Sequence, residues 1–139
     1  MDWREISELC QTELEKIRAD LPPIGSFFPQ SQVASTFLSN ERRTNEAVEV
    51  AVRHFAEHRT WPEMSQLERT MLCFRLEFAA SLAILLSEQP APWNDSLEAQ
   101  HDEERLGWLM LFAWENEGFS TLHENLRRFV PGEEGKCGG

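Results

Sequence analysis

The longest apolar run in this sequence lies near the middle of the chain. Residues 71–86, MLCFRLEFAASLAILL, contain two charged side chains, Arg75 and Glu77. At a helical rise of about 1.5 Å per residue the run spans roughly 24 Å, which is less than the ~30 Å hydrocarbon layer of a bilayer. Two charges near a membrane centre would also cost several kcal/mol. The pattern therefore predicts a buried helix in a water-soluble fold and no membrane partner.

We expect this central helix to occupy residues near 64–88. Ser65 and Glu68 have the spacing of a capping box, and a start at Pro62 is the alternative because proline suits the first helical position. Prolines follow shortly after residue 88. Because apolar residues surround most of the helix, neighbouring helices should pack on several sides. Arg75 and Glu77 should then pair with those helices or reach the surface, and a functional polar pair in a pocket is the alternative.

The other apolar residues recur at three- and four-residue spacing, which predicts further helices. We expect these at 2–20, 31–39, 41–59, 94–118 and from 121 onward, with Gly118 as the stop of the fourth. The sequence has no period-two alternation that would indicate strands. We therefore predict an all-α, single-domain bundle of five or six helices over residues 1–130. The stretch 106–114 should pair with the central helix, and residues 131–139 should form a disordered tail.

Composition limits the partners and the compartment. Acidic residues outnumber basic residues by 24 to 13, and the formal net charge is −11. Such a surface disfavours direct binding to nucleic acid or an anionic membrane and favours a basic protein surface. Cys10, Cys73 and Cys137 are too far apart for a CxxC motif, which argues against disulfides and for a reducing compartment. We expect a cytoplasmic protein without a cofactor, with Cys10 and Cys73 in the core.

The strongest candidate interaction surface is an acidic stretch that precedes the last apolar run. Residues 88–104 contain six acids and no Lys or Arg. A helix that presents Glu98, Asp102, Glu103 and Glu104 would imitate a row of phosphates and occupy the phosphate-binding arginines of a nucleic-acid enzyme. The alternative is that these acids only stabilise a helix N-terminus through its dipole.

Large aromatic side chains in loop segments are candidate interface anchors. Trp61 and Trp93 lie beside prolines at the two ends of the central helix, and Phe27 and Phe28 lie in a proline-rich segment. These side chains would either contact a partner or cover a small helical core.

A possible metal site lies in the third predicted helix. His54, Glu57 and His58 match the inverted zinc-protease pattern H-x-x-E-H. On a helix, His54 and His58 share one face and Glu57 would act as a general base. A third ligand is not evident, and the candidates are Glu98, His101 and Glu124. Surface histidines produce the same pattern.

The sequence thus favours a small, non-enzymatic protein that binds and inhibits or modulates a protein partner with a basic surface. Phage anti-defence proteins, including anti-CRISPR proteins, and immunity proteins have this size and acidity, and a nucleic-acid-binding enzyme is a suitable target. Two alternatives remain open. One is a metal-dependent helical enzyme that uses His54, Glu57 and His58. The other is an assembly adaptor or structural subunit that self-associates, for instance as a homodimer.

Overall fold

A computed structural model describes residues 1–21, 30–89, 101–118, 120–122 and 124, with the side chains of 30–34, 36 and 37 excluded. The regular structure in these residues is helical and contains no strand. The α-helices are α1 (Trp3–Ala19), α2 (Gln30–His58), α3 (Gln66–Ser87) and α4 (Asp102–Gly107), and two π-helical segments follow, Trp108–Phe112 and Trp114–Gly118. The all-α prediction is confirmed. The predicted tail at 131–139 lies outside the described residues.

Helix α3 is the central helix, as the sequence predicted. The capping box is formed, because Glu68 N–H donates to Ser65 Oγ at 3.2 Å and Ser65 N–H donates to Glu68 Oε1 at 2.9 Å. The helix packs against α1, α2 and both π-helical segments. Among the described residues, α3 is the one helix whose length and composition would allow it to cross a membrane, and 56% of its most apolar window is buried inside the fold.

Helix α1 supplies the most extensive packing partner of α3 among the described elements. Its apolar stripe is buried and consists of Trp3, Ile6, Cys10, Leu14 and Ile17. Ser7 is buried as well, and its Oγ donates to the carbonyl of Ala80 on α3 at 2.9 Å. Because both residues are small, the two backbones approach closely enough for this bond. The predicted contact between 106–114 and the central helix is present, but α1 packs against α3 more extensively.

Helix α2 is a single helix, and the prediction of separate helices at 31–39 and 41–59 is wrong. The range contains no glycine or proline that would interrupt a helix. Between the two predicted helices, Asn40 Nδ2 donates to Ser39 Oγ at 3.4 Å. The Asn40 side chain therefore has a hydrogen-bond partner while its backbone remains helical. The helix ends before Arg59, whose backbone has the left-handed φ of 60°.

The helix predicted at 94–118 is interrupted at His101. His101 has an extended backbone, with φ −64° and ψ 147°, so the helix starts at Asp102 and does not run continuously from residue 94. After Gly107 the chain widens into the π-helical segments, and Ala113 N–H donates to the carbonyl of Trp108, five residues earlier. We refer to α4 and these segments together as the 102–118 segment.

Gly118 has a packing role that differs from the predicted helix stop. The second π-helical segment does end there, but residues 120–122 are again helical. A Cβ at this position would lie 2.2 Å from Cε3 of Trp114, whose indole ring is buried. Glycine is therefore needed because the Trp114 ring packs directly on the backbone.

Candidate partner-binding surface

A buried arginine holds the start of the 102–118 segment against the start of α1. Arg105 is 2% exposed, and its guanidinium donates to Asp102 Oδ1 at 2.6 Å and to the carbonyl of Met1. The guanidinium also lies over the Trp3 ring, 5.2 Å from the ring centroid. The Met1 amine donates to Asp102 Oδ1 at 3.1 Å. These contacts connect residues that are about one hundred positions apart in the chain.

The pKa of Asp102 is shifted by these same contacts with Met1 and Arg105. Partial burial alone would raise the pKa of this carboxyl, but hydrogen bonds from the Met1 amine and from Arg105 outweigh burial and lower it below its ordinary value. Asp102 is therefore an internal ionic partner as well as a member of the predicted acidic surface.

Glu103 and Glu104 are exposed in the first turn of α4, beside Asp102. Asp2 and Glu5 are exposed at the start of α1, where Asp2 Oδ1 accepts the Glu5 N–H at 2.8 Å. The Met1–Asp102 contact brings the two helix starts together. We call these five residues the acidic end. The exposed Arg4 is the basic side chain in the same turn of α1.

The predicted aromatic anchor Trp61 covers the opposite end of α1. Its ring stacks on Phe55 with 4.1 Å between centroids and 6° between planes. Its Nε1 donates to Glu13 Oε2 at 3.0 Å. Trp61 is thus held by contacts within the fold, which matches the alternative that it covers the core. The other proposed contact residues, Phe27, Phe28, Trp93 and Glu98, lie outside the described residues.

The histidine pair is adjacent but incomplete as a metal site. The rings of His54 and His58 are 4.7 Å apart between centroids. His54 Nε2 lies 3.3 Å from Thr60 Oγ1, and His58 Nε2 lies 3.7 Å from Glu57 Oε2. No group of three His, Cys, Asp or Glu side chains in the part of the chain that the structure describes is placed to hold a metal ion. Of the three candidate third ligands, His101 and Glu124 are described and Glu98 is not.

Arg75 is the second buried arginine, and it joins three elements. It is 0% exposed and donates to the carbonyl of Met110 in the first π-helical segment and to Asn45 Oδ1 on α2. Glu49 Oε1 lies 3.9 Å from its guanidinium, and the Trp114 ring centroid lies 5.4 Å away. Burial lowers the pKa of Arg75 to about 10. The predicted pairing of Arg75 with neighbouring helices is confirmed.

Glu77 does not share this environment. Its side chain is 62% exposed and lies 4.0 Å from the Arg18 guanidinium on α1. The alternative in which Arg75 and Glu77 form one polar pair in a pocket is therefore wrong, because one is buried and the other faces solvent.

Glu49 on α2 is the acidic residue beside Arg75. Burial raises its pKa, a hydrogen bond with the Glu115 carboxyl raises it further, and the charge of Arg75 opposes both effects. Asn45 Nδ2 donates to Glu49 Oε1 at 3.1 Å. All of these contacts are made within the fold. Arg75, Asn45, Glu49 and Glu115 therefore hold α2, α3 and the 102–118 segment together.

Sequence reasoning did not identify Met1, Arg105 or the acids of α1 as parts of the acidic end. The apolar residues after position 105 indicated a buried face, but no local pattern indicates that Arg105 meets Trp3 and Met1. Of the two cysteines expected in the core, Cys10 is buried, and burial raises its pKa to about 12. Cys73 is half-buried. Comparison of the chain with protein-family models, with curated proteins and with solved structures gave no match.

Proposed function

We propose that this chain is a binding protein that uses its acidic end to engage a basic surface of a protein partner and thereby inhibits or modulates that partner. The observation that supports this most strongly is the pair of exposed carboxylates of Glu103 and Glu104. They stand on a helix start whose backbone is fixed by the Arg105, Asp102 and Met1 contacts. A fixed backbone lowers the ordering cost of binding.

Charge distribution supports the choice of a basic partner. The acidic end gathers carboxylates from two distant parts of the chain, and the whole chain has a formal net charge of −11. Complementary charge accelerates association and excludes partners of the same sign. Clustered carboxylates also suit the arginines with which a nucleic-acid enzyme holds phosphate, which supports such enzymes as targets. A cytoplasmic location is part of this proposal.

The test compares two double charge reversals. Glu103→Lys/Glu104→Lys changes the acidic end and leaves Asp102 in place. The matched control, Glu57→Lys/Glu63→Lys, reverses two exposed acids near Trp61, at the other end of α1. Wild type and both variants are immobilised at equal density and exposed to an extract of the source organism or of a cell that it infects. Mass spectrometry then quantifies the retained proteins.

We expect one protein to be retained stoichiometrically by wild type and by the control. Glu103→Lys/Glu104→Lys should reduce its retention at least tenfold, because close charge pairs across an interface have coupling energies of roughly 1.5 kcal/mol or more. Retention should also fall as salt rises. Equal retention by all three proteins would refute the acidic end as the interface, and no stoichiometric partner for wild type would refute the binding function.

A further inference from the structure

Two hollows lie side by side on one flank of α3, and Glu77 and Ser81 line both of them. The first has a volume of about 340 Å³ and an aromatic wall formed by Phe74, Phe78 and Trp114. The second has a volume of about 510 Å³, lies between α3 and α1, and is lined by Leu14, Ile84 and Leu85. We call the two hollows together the Glu77 groove.

The groove exposes apolar side chains of the most apolar helix. Leu85 is 57% exposed, and Ile84 is exposed beside it. One exposed leucine is ordinary on a protein surface. Here the exposed residues line the second hollow, and the first hollow, with its aromatic wall, lies next to it beyond Glu77. Apolar grooves of this kind receive the apolar face of an amphipathic helix.

The groove also has acidic side chains. The ion pair between Glu77 and Arg18 is weak, because both side chains are well exposed and 4.0 Å apart. Gln11 lines the second hollow, and Glu8 and Glu15 are exposed on the same face of α1, one turn before and one turn after it. A cationic side chain above the groove would therefore find carboxylates within the groove and along one side of it.

We propose that the Glu77 groove binds a basic amphipathic helix of a partner protein. Apolar side chains of that helix fill the two hollows, and a Lys or Arg pairs with Glu77. A second copy of this chain or an anionic membrane is a less suitable occupant, because each would bring negative charge to a chain with formal net charge −11. Glu77 lies beside Arg18, at the opposite end of α1 from Met1, so this inference adds a second surface to the proposed function.

The probe is a fluorescein-labelled peptide of 14 residues made only of Leu and Lys, with leucines at helical spacing. A scrambled peptide of the same composition has the same charge but no apolar face. Fluorescence anisotropy gives the Kd of each peptide for wild type, Glu77→Lys, Leu85→Lys, Glu103→Lys/Glu104→Lys and the control Val50→Lys. Val50 is 67% exposed on α2 and does not line the groove. Urea unfolding of each variant tests whether the fold is retained. If Leu85→Lys is destabilised, the result with Glu77→Lys alone decides whether the groove binds the peptide.

We expect wild type to bind the amphipathic peptide at least tenfold more tightly than the scrambled peptide. Glu77→Lys and Leu85→Lys should each raise the Kd at least fivefold, whereas Val50→Lys and Glu103→Lys/Glu104→Lys should change it less than twofold. Equal binding of both peptides, or equal loss with Val50→Lys, would overturn the proposal. Loss of binding with Glu103→Lys/Glu104→Lys but not with Glu77→Lys would assign the peptide to the acidic end.

Two further measurements distinguish the other occupants. Sedimentation that shows a wild-type dimer abolished by Leu85→Lys would assign the groove to a second copy of the chain. Flotation with neutral phosphatidylcholine vesicles that depends on Leu85 would assign it to a lipid surface. Either result overturns the proposal, and a monomer that does not bind vesicles supports it.

Discussion

Replacement of Arg75 by methionine should destabilise the fold more than any surface substitution. Methionine retains much of the side-chain volume but removes the hydrogen bonds to Asn45 Oδ1 and to the Met110 carbonyl, together with the charge beside Glu49. A buried polar group that loses its partner costs about 1–3 kcal/mol, and breaking a buried charge pair costs about 3–5 kcal/mol. These costs overlap, so we expect a loss of about 3–5 kcal/mol in the free energy of unfolding.

Urea unfolding followed by circular dichroism measures this loss, and Arg18→Met is the matched control. Arg18 is exposed and makes a single weak ion pair with Glu77, so its replacement should cost about 0.5 kcal/mol or less. Asn45→Leu combined with Arg75→Met should recover at least about 1 kcal/mol relative to the sum of the single changes, because the unpaired amide oxygen is gone. A cost below about 1 kcal/mol for Arg75→Met would refute the view that Arg75 joins the helices.

Two further predictions concern the 102–118 segment. Gly118→Ala should cost about 1–3 kcal/mol in urea unfolding, because the new Cβ would lie 2.2 Å from the Trp114 ring. Gly107→Ala should instead stabilise the helix by up to about 1 kcal/mol, since nothing lies within 4 Å of its Cβ position; equal effects would contradict the packing explanation. Asp102→Asn should be less stable than wild type at pH 7. Because the folded pKa of Asp102 is lowered, its contribution is present above its unfolded pKa and is lost as the pH falls through the folded value, so the difference should close in acid. A difference that is constant with pH would contradict this account.

Local patterns predicted the elements whose structure depends on neighbouring residues. The Ser65 and Glu68 capping box fixed the start of α3, and the stripe of α1 predicted its buried face. The sequence also showed that Arg75 required partners in a buried helix. It did not identify those partners, because Asn45 lies 30 residues before Arg75 and Met110 lies 35 residues after it.

The differences arose where tertiary contacts or helix geometry outweighed a local signal. Separate helices were expected at 31–39 and 41–59, but a polar residue such as Asn40 with no Gly or Pro beside it does not stop a helix. Gly118 ends the second π-helical segment, but no local pattern indicated that the Trp114 ring packs on its backbone. The acidic end could not be predicted in full, since the contact between Met1 and Asp102 depends on the packed fold.

The most direct test of the proposed function is the association rate of the captured partner with wild type and with Glu103→Gln/Glu104→Gln, measured by stopped flow over a range of salt. We predict that the substitutions lower the association rate constant severalfold at low salt and that the difference narrows as salt screens the charges. An association rate that is unchanged by the substitutions and insensitive to salt would contradict the claim that the acidic end meets a basic surface.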